Sequence, residues 1–338
     1  MLEERRRIQE GLKLVIRPSV PEEGSASPPH RVPSWLRFVI SAALLATLIL
    51  YVDLDDSWRI VREAQLELIA LLLVVFMVLR ILSAYRWYIL LHGKNPAITF
   101  NKVIRLTFTS LFIGTFMPGG TDLVRIYLLS KTTSDLALAF SSMLVERVLA
   151  LLALFALVLF GLLATPSGLP SMIGYAAWLG LMLLGLGCLT FMHPKFRGVT
   201  NHLLTGQFFT PVRIRLAKVY NRLDAYSIQP WLIVWSFVLA FSLQILRVGC
   251  TVIGAWGLGI QLPLMTFVVI VPIIFLIALI PISIGGLGVR EAAFVSLLGL
   301  VEVKAEAAFT LSLLLYVISI LTTLPGAFFY ATERSTNP

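Results

Sequence analysis

Apolar runs of about 20 residues recur along this chain, starting near residues 36, 66, 138, 171, 230, 263 and 306. Coiled as helix, a run of that length spans about 30 Å, the hydrocarbon thickness of a bilayer. Backbone polar groups in hydrocarbon must be satisfied within their own segment, so helix is the expected conformation. Composition supports the same class: of 338 residues, 58% are hydrophobic and only 13% charged. A soluble domain carries roughly a quarter charged residues. The expected fold is an all-α polytopic membrane protein.

Residues 1–34 are charged and Pro/Ser-rich, with Glu4–Arg7 as one cluster and Ser27–Ser34 as a proline-rich stretch. They read as a cytoplasmic tail rather than a secretory signal. Residues 35–331 read as one transmembrane domain, and 332–338 as a short cytoplasmic tail. Cys188 and Cys250 both fall inside expected membrane helices, which argues against a disulfide framework. The histidines lack metal-ligand spacing, and neither a P-loop nor a nucleophile elbow occurs. No metal, nucleotide or other cofactor is expected, and nucleic acid is not an expected partner.

Lysine and arginine placement sets orientation. Residues 53–67 carry five acids against Arg59 and Arg62 and should lie outside. Lys94, Lys102 and Arg105 follow the next helix and should lie inside. The long loop 193–229 holds Lys195, Arg197, Arg213, Arg215, Lys218 and Arg222 against Asp224, which makes it cytoplasmic. Within it, Val212, Leu216, Val219 and Leu223 share one face of a basic amphipathic helix suited to an anionic leaflet; a basic loop that only sets topology is the alternative.

This orientation cannot be satisfied by straight crossings alone. The segment 103–131 must enter and leave on the inner side, and its middle is broken at Pro118, Gly119 and Gly120. The segment 263–300 must dip in from the outer side, broken between Pro281 and Gly288. The expectation is six full crossings and two re-entrant hairpins of opposite entry side, related as an inverted repeat. Broken helices near the midplane of inverted repeats are a transporter architecture. The competing reading is two further short helices packed through glycine.

Charges inside the apolar segments sharpen the functional expectation. Arg80 and Arg247 lie near the middle of their helices, Glu146 and Arg147 lie a few turns into 138–163, and Asp122, Arg125, Arg290 and Glu291 flank the two breaks. A charge at the bilayer centre costs about 2.5 kcal/mol or more unless paired or hydrated. The arginines Arg80, Arg125, Arg247 and Arg290 are candidate phosphate ligands, since a guanidinium matches phosphate oxygens bidentately. Asp122, Glu146 and Glu291 are candidate structural or proton-coupling carboxylates. Polar stripes converge with the arginines: Gln244, Arg247 and Thr251 on one helix, and Ser312, Tyr316, Ser319 and Thr323 on the last. Gln244, Tyr316, Ser283, Gly285 and Gly286 complete the candidate substrate site. Arg86, Trp87 and Tyr88 read as interface anchors with no functional role.

The motifs at 116–129 (FMPGGTDLVRIYLL) and 281–291 (PISIGGLGVRE), with VERV at 145–148, resemble the flippase-like membrane proteins related to the transmembrane part of lysylphosphatidylglycerol synthase. The second motif matches that family at Pro281, Ser283, Gly285, Gly286, Gly288, Arg290 and Glu291. The first is a poorer match, with a shorter glycine-rich link than the family usually shows; Asp122 and Arg125 still carry over. The resemblance implies movement of a lipid between leaflets. Relatives that aminoacylate lipid carry a soluble catalytic domain after the membrane region, so aminoacyl transfer is not expected here.

Three functions of different class follow from these residues. The first is a flippase for an anionic lipid, aminoacylated or glycosylated forms included, seated in the cell membrane with both termini cytoplasmic. The second is a membrane-embedded enzyme acting on a lipid phosphate, against which stands the lack of a nucleophile or histidine partnered with the charges. The third is a non-transporting scaffold of a lipid-modification pathway. Membrane lipids are the expected ligands, and a homodimer and a lipid-modifying enzyme are the protein partners this reading admits.

Overall fold

The computed structural model describes residues 34–116, 120–133, 135–164, 182, 230–278 and 286–336. The N-terminal tail, the crossing expected near 171, the loop 193–229 with its amphipathic helix, and Pro118, Gly119, Ser283 and Gly285 lie outside them. Among the described residues there are helices and no strand.

In chain order the helices are α1 (Ser34–Tyr51), α2 (Leu54–Arg62), α3 (Leu66–His92), α4 (Phe100–Phe116), α5 (Gly120–Thr133) and α6 (Leu136–Ala164). They continue as α7 (Pro230–Gly257), α8 (Leu264–Ala278), α9 (Val289–Gly299), α10 (Ala305–Leu321) and α11 (Pro325–Thr336). Leu66–His92, Leu136–Ala164, Trp231–Gly257 and Ala305–Thr332 are long and apolar enough to cross a membrane. With 27 residues, α3 alone reaches about 40 Å. The chain is an all-α, multi-pass membrane protein.

Side-chain placement is that of a protein in lipid. Leu71, Val74, Val78, Val234 and Val238 are exposed on long helices, while Arg86, Arg125, Glu146 and Glu291 are buried. Apolar surface turned outward and charge turned inward is the arrangement hydrocarbon favours.

Two pairs of helices are too short to cross singly. α4 and α5, with 17 and 14 residues, span about 26 and 21 Å and pack on each other. α8 and α9, with 15 and 11 residues, span about 22 and 16 Å and also pack together. The close approach of α4 to α5 requires glycine: a Cβ on Gly114 would fall 2.5 Å from Thr121 Cα. Gly120, which opens α5, has φ +75°, and Gly288, before α9, has φ +83°. These left-handed conformations are open to glycine at little cost. Gly288 also lies against α1, where its Cβ would meet Leu44 Cβ at 2.8 Å.

Packing partners recur between the halves. α3 packs on α4 as α7 packs on α8, and α5 packs on α6 as α9 packs on α10. α8 lies against α6 as α4 lies against α11, and α3 and α7 pack on each other.

Two elements depart from the sequence reading. The acidic stretch after α1 holds a short helix, α2, because Asp53 caps it through the amides of Asp55 and Asp56. The final crossing is interrupted by a turn between α10 and α11. Pro325 lacks an amide hydrogen, and the hydroxyls of Thr322 and Thr323 donate to the carbonyls of Ser319 and Ile320.

Candidate functional site

Helix periodicity brings three arginines from distant parts of the chain to one place. Arg80 of α3, Arg247 of α7 and Arg290 of α9 line a cavity of about 170 Å³, together with Thr251, Phe275 and Ser319. A second lobe of about 230 Å³ is lined by Arg147, Leu151, Gln244, Arg247, Phe275 and Ala278. Arg247 and Phe275 belong to both, so the lobes adjoin. Together they fall in the lower part of the roughly 300–1,000 Å³ typical of ligand pockets.

The polar stripe of α10 receives two of the arginines. Arg80 Nη2 donates to Ser319 Oγ at 2.7 Å and to its carbonyl at 3.3 Å. Arg290 Nε donates to Ser312 Oγ at 3.2 Å, and its guanidinium lies 4.8 Å from the centre of the Tyr316 ring. Arg247 stands 5.0 Å from the Phe275 ring centre. Among the described residues no carboxylate pairs with Arg80 or Arg247.

Arg290 differs, because Glu291 is ion-paired to it. Glu291 is fully buried and also caps its helix, since its Oε2 accepts the Gly288 amide hydrogen at 2.6 Å. That satisfies an amide at the start of α9, which glycine has no side chain to cap. Ser312 Oγ donates to the same carboxylate at 3.3 Å. Gly286 serves the local backbone, its carbonyl accepting the Arg290 amide hydrogen at 2.9 Å. Gln244 Nε2 donates to the Ala150 carbonyl at 3.1 Å, tying α7 to α6 beside the second lobe.

Arg125 is placed elsewhere. It is buried against Glu146, with Nη1 3.2 Å from Oε2, and its guanidinium lies 4.0 Å from the Trp87 ring centre. Arg86 closes on Glu146 Oε1 at 2.6 Å, and Trp87 Nε1 donates to Ser142 Oγ at 3.4 Å. Arg86 and Trp87 are therefore buried parts of an ionic clamp joining α3, α5 and α6, not interface anchors. Their position near the helix end suggested the interface, and only the fold places Glu146 opposite them. The neighbouring Arg147 pairs with Asp122 at the start of α5 and is half exposed.

The arrangement can hold an anion. Arg80 and Arg247 present guanidinium donors at mid-helix depth, surrounded by Phe76, Leu79, Phe275, Phe294 and Leu315. In so apolar a setting a charge-assisted hydrogen bond is worth more than in water. Among the described residues no group of histidine, cysteine or carboxylates could hold a metal.

Comparison with known proteins agrees with a multi-pass membrane protein. A UPF0104 membrane protein of Methanocaldococcus jannaschii is 22% identical over 314 residues, covering 87% of this chain and 93% of the relative. A UPF0104 membrane protein of Methanothermobacter thermautotrophicus is 22% identical over 331 residues, covering 89% and 94%. One from Pyrococcus horikoshii is 23% identical over 120 residues, 34% of this chain and 36% of the relative. No solved structure matches significantly. Residues 34–326 match the family described as the lysylphosphatidylglycerol synthase TM region, and the chain belongs to that family.

Proposed function

We propose that this protein moves an anionic lipid between the leaflets of the cell membrane, binding its phosphate in the arginine-lined cavity while the tails stay in hydrocarbon. The observation that carries this reading is the convergence of Arg80, Arg247 and Arg290 on one cavity, two of them without a carboxylate among the described residues. Guanidiniums kept in an apolar body without a counter-ion are costly to stability, and a ligand anion is what offsets that cost.

In this reading α4–α5 and α8–α9 are re-entrant hairpins inserted from opposite sides, members of an inverted repeat, and both termini are cytoplasmic. Supporting it are the short lengths of these helices, the recurrence of packing partners between halves, and the placement of both hairpins beside the second lobe. Ala278 ends α8 there, and Arg147 reaches from it to Asp122 at the start of α5. The protein is not itself an enzyme. Direction comes from an ion gradient or from a lipid-modifying partner that consumes the product.

The test is leaflet exchange of a labelled anionic phospholipid in liposomes containing the purified protein. Exchange should exceed that of protein-free vesicles and fall about tenfold or more in R80Q and R247Q, the loss of a charged hydrogen bond of roughly 1.5–3 kcal/mol. Exchange unchanged in both variants would remove the site, and a hydrolysis product without exchange would favour an enzyme.

A further inference from the structure

The charge balance of the cavity goes further than its sign. Four guanidiniums line the two lobes: Arg80, Arg147, Arg247 and Arg290. Glu291 is ion-paired to Arg290 and Asp122 to Arg147. Glu146 is held between Arg86 and Arg125, which leaves it no spare charge for the cavity. Arg80 meets only the neutral Ser319, and Arg247 only the face of Phe275, among the described residues. The two links that adjoin the hairpins, 117–119 (Met-Pro-Gly) and 279–285 (Leu-Ile-Pro-Ile-Ser-Ile-Gly), contain no acid. Among the described residues and these two links, two positive charges are therefore left over in the lobes.

We infer that the cavity is matched to a phosphate group bearing two negative charges, a phosphate monoester or a diphosphate, rather than to a phosphodiester or an aminoacylated head group. This rests on the reading of the cavity as the lipid's head-group site. A phosphodiester brings one negative charge and leaves one guanidinium uncompensated. A lysyl head group brings added positive charge to lobes whose two neighbouring carboxylates already hold arginines.

Titration calorimetry in detergent with dihexanoyl phosphatidic acid and dihexanoyl phosphatidylglycerol, at pH 8 and pH 5, reads this directly. At pH 8 phosphatidic acid should bind about tenfold or more tighter, the effect of one further charged hydrogen bond. At pH 5, below a second phosphate pKa of about 6, the monoester carries one charge and the preference should shrink toward unity, while the arginines keep theirs. R80Q and R247Q should each reduce the preference at pH 8, and R247K, which preserves charge, should retain it if the variant elutes as a folded monodisperse species.

Equal affinity for the two lipids at pH 8 overturns the dianion inference and leaves the transport reading standing where both lipids exchange in liposomes. A preference for phosphatidic acid without leaflet exchange of either lipid keeps the dianion site and overturns transport. Inorganic phosphate that competes as well as phosphatidic acid assigns the site to free phosphate rather than to a lipid. Binding of none of the three overturns both readings.

Discussion

The Arg125 guanidinium lies 4.0 Å from the centre of the Trp87 ring, and both residues are buried. A desolvated cation over an indole face is worth about 2 kcal/mol, more than at an exposed site. The same guanidinium meets Glu146, and Arg86 reaches that carboxylate from α3. Three helices are thus joined through one acid, with Trp87 as the apolar floor. The second half repeats the ingredients in another arrangement: Arg290 over Tyr316, Glu291 beside it, and Ser312 on the neighbouring helix.

Glu146→Gln should be strongly destabilising. It leaves Arg86 and Arg125 buried with no counter-charge, and breaking a buried pair from one side costs about 3–5 kcal/mol. Thermal unfolding in detergent, followed by intrinsic fluorescence, should show a clearly lowered midpoint. A midpoint equal to that of the unmodified protein would mean that the clamp does not hold α5 in place.

Asp122→Asn should behave differently although it also removes a carboxylate from an arginine. The Asp122–Arg147 pair is partly solvated, with 48% of the Arg147 side chain exposed. Exposed pairs contribute about 0–1 kcal/mol, so the same unfolding measurement should move little. A loss as large as that of Glu146→Gln would show that this pair is dehydrated in the bilayer.

Much of the architecture was legible because membrane helices announce themselves by length. The apolar segment read as 138–163 lies within α6, and the run starting near 230 opens α7. The stripe Ser312, Tyr316, Ser319 was visible as helical spacing, and these residues meet Arg290 and Arg80. Pairing between charges was not legible. Glu146 and Arg147 are chain neighbours, yet adjacent residues on a helix point about 100° apart, and each finds its partner on another helix. Arg86 could have been suspected from the same geometry, since it lies six residues after Arg80 on α3 and turns to a different face.

Gly326→Ala and Gly249→Ala make a matched test of helix contact. A Cβ on Gly326 would fall 2.1 Å from the Phe108 carbonyl oxygen, so α11 and α4 would have to separate. Backbone cannot yield as a side-chain tip can, and overpacking of this kind costs about 1–3 kcal/mol. A Cβ on Gly249 meets nothing within 4 Å, and there alanine should be neutral or stabilising by up to about 1 kcal/mol through helix propensity. Unfolding midpoints that ranked the two variants in the opposite order would contradict the packing of α11 on α4.

Cysteine labelling tests the opposed hairpins. Gly120 and Gly286 lie at the two breaks with φ +75° and +80°, and neither has a neighbour within 3.4 Å of where a Cβ would stand. Cysteine there therefore adds backbone strain of about 1–2 kcal/mol without a steric clash, which a folded variant can tolerate. The background replaces Cys188 and Cys250 with serine, and an impermeant maleimide is added to sealed vesicles of known orientation. If α4–α5 enters from the cytoplasmic side and α8–α9 from the other, Gly120→Cys should react from the cytoplasmic face and Gly286→Cys from the outer face. Hydrated backbone at such depth is tolerated only beside a wet cavity, so reactivity also reports water at the breaks. Labelling of both positions from one face would rule out hairpins of opposite entry. Failure to label either from any face, while unfolded protein reacts at both, would mean that the breaks are dry glycine contacts between helices.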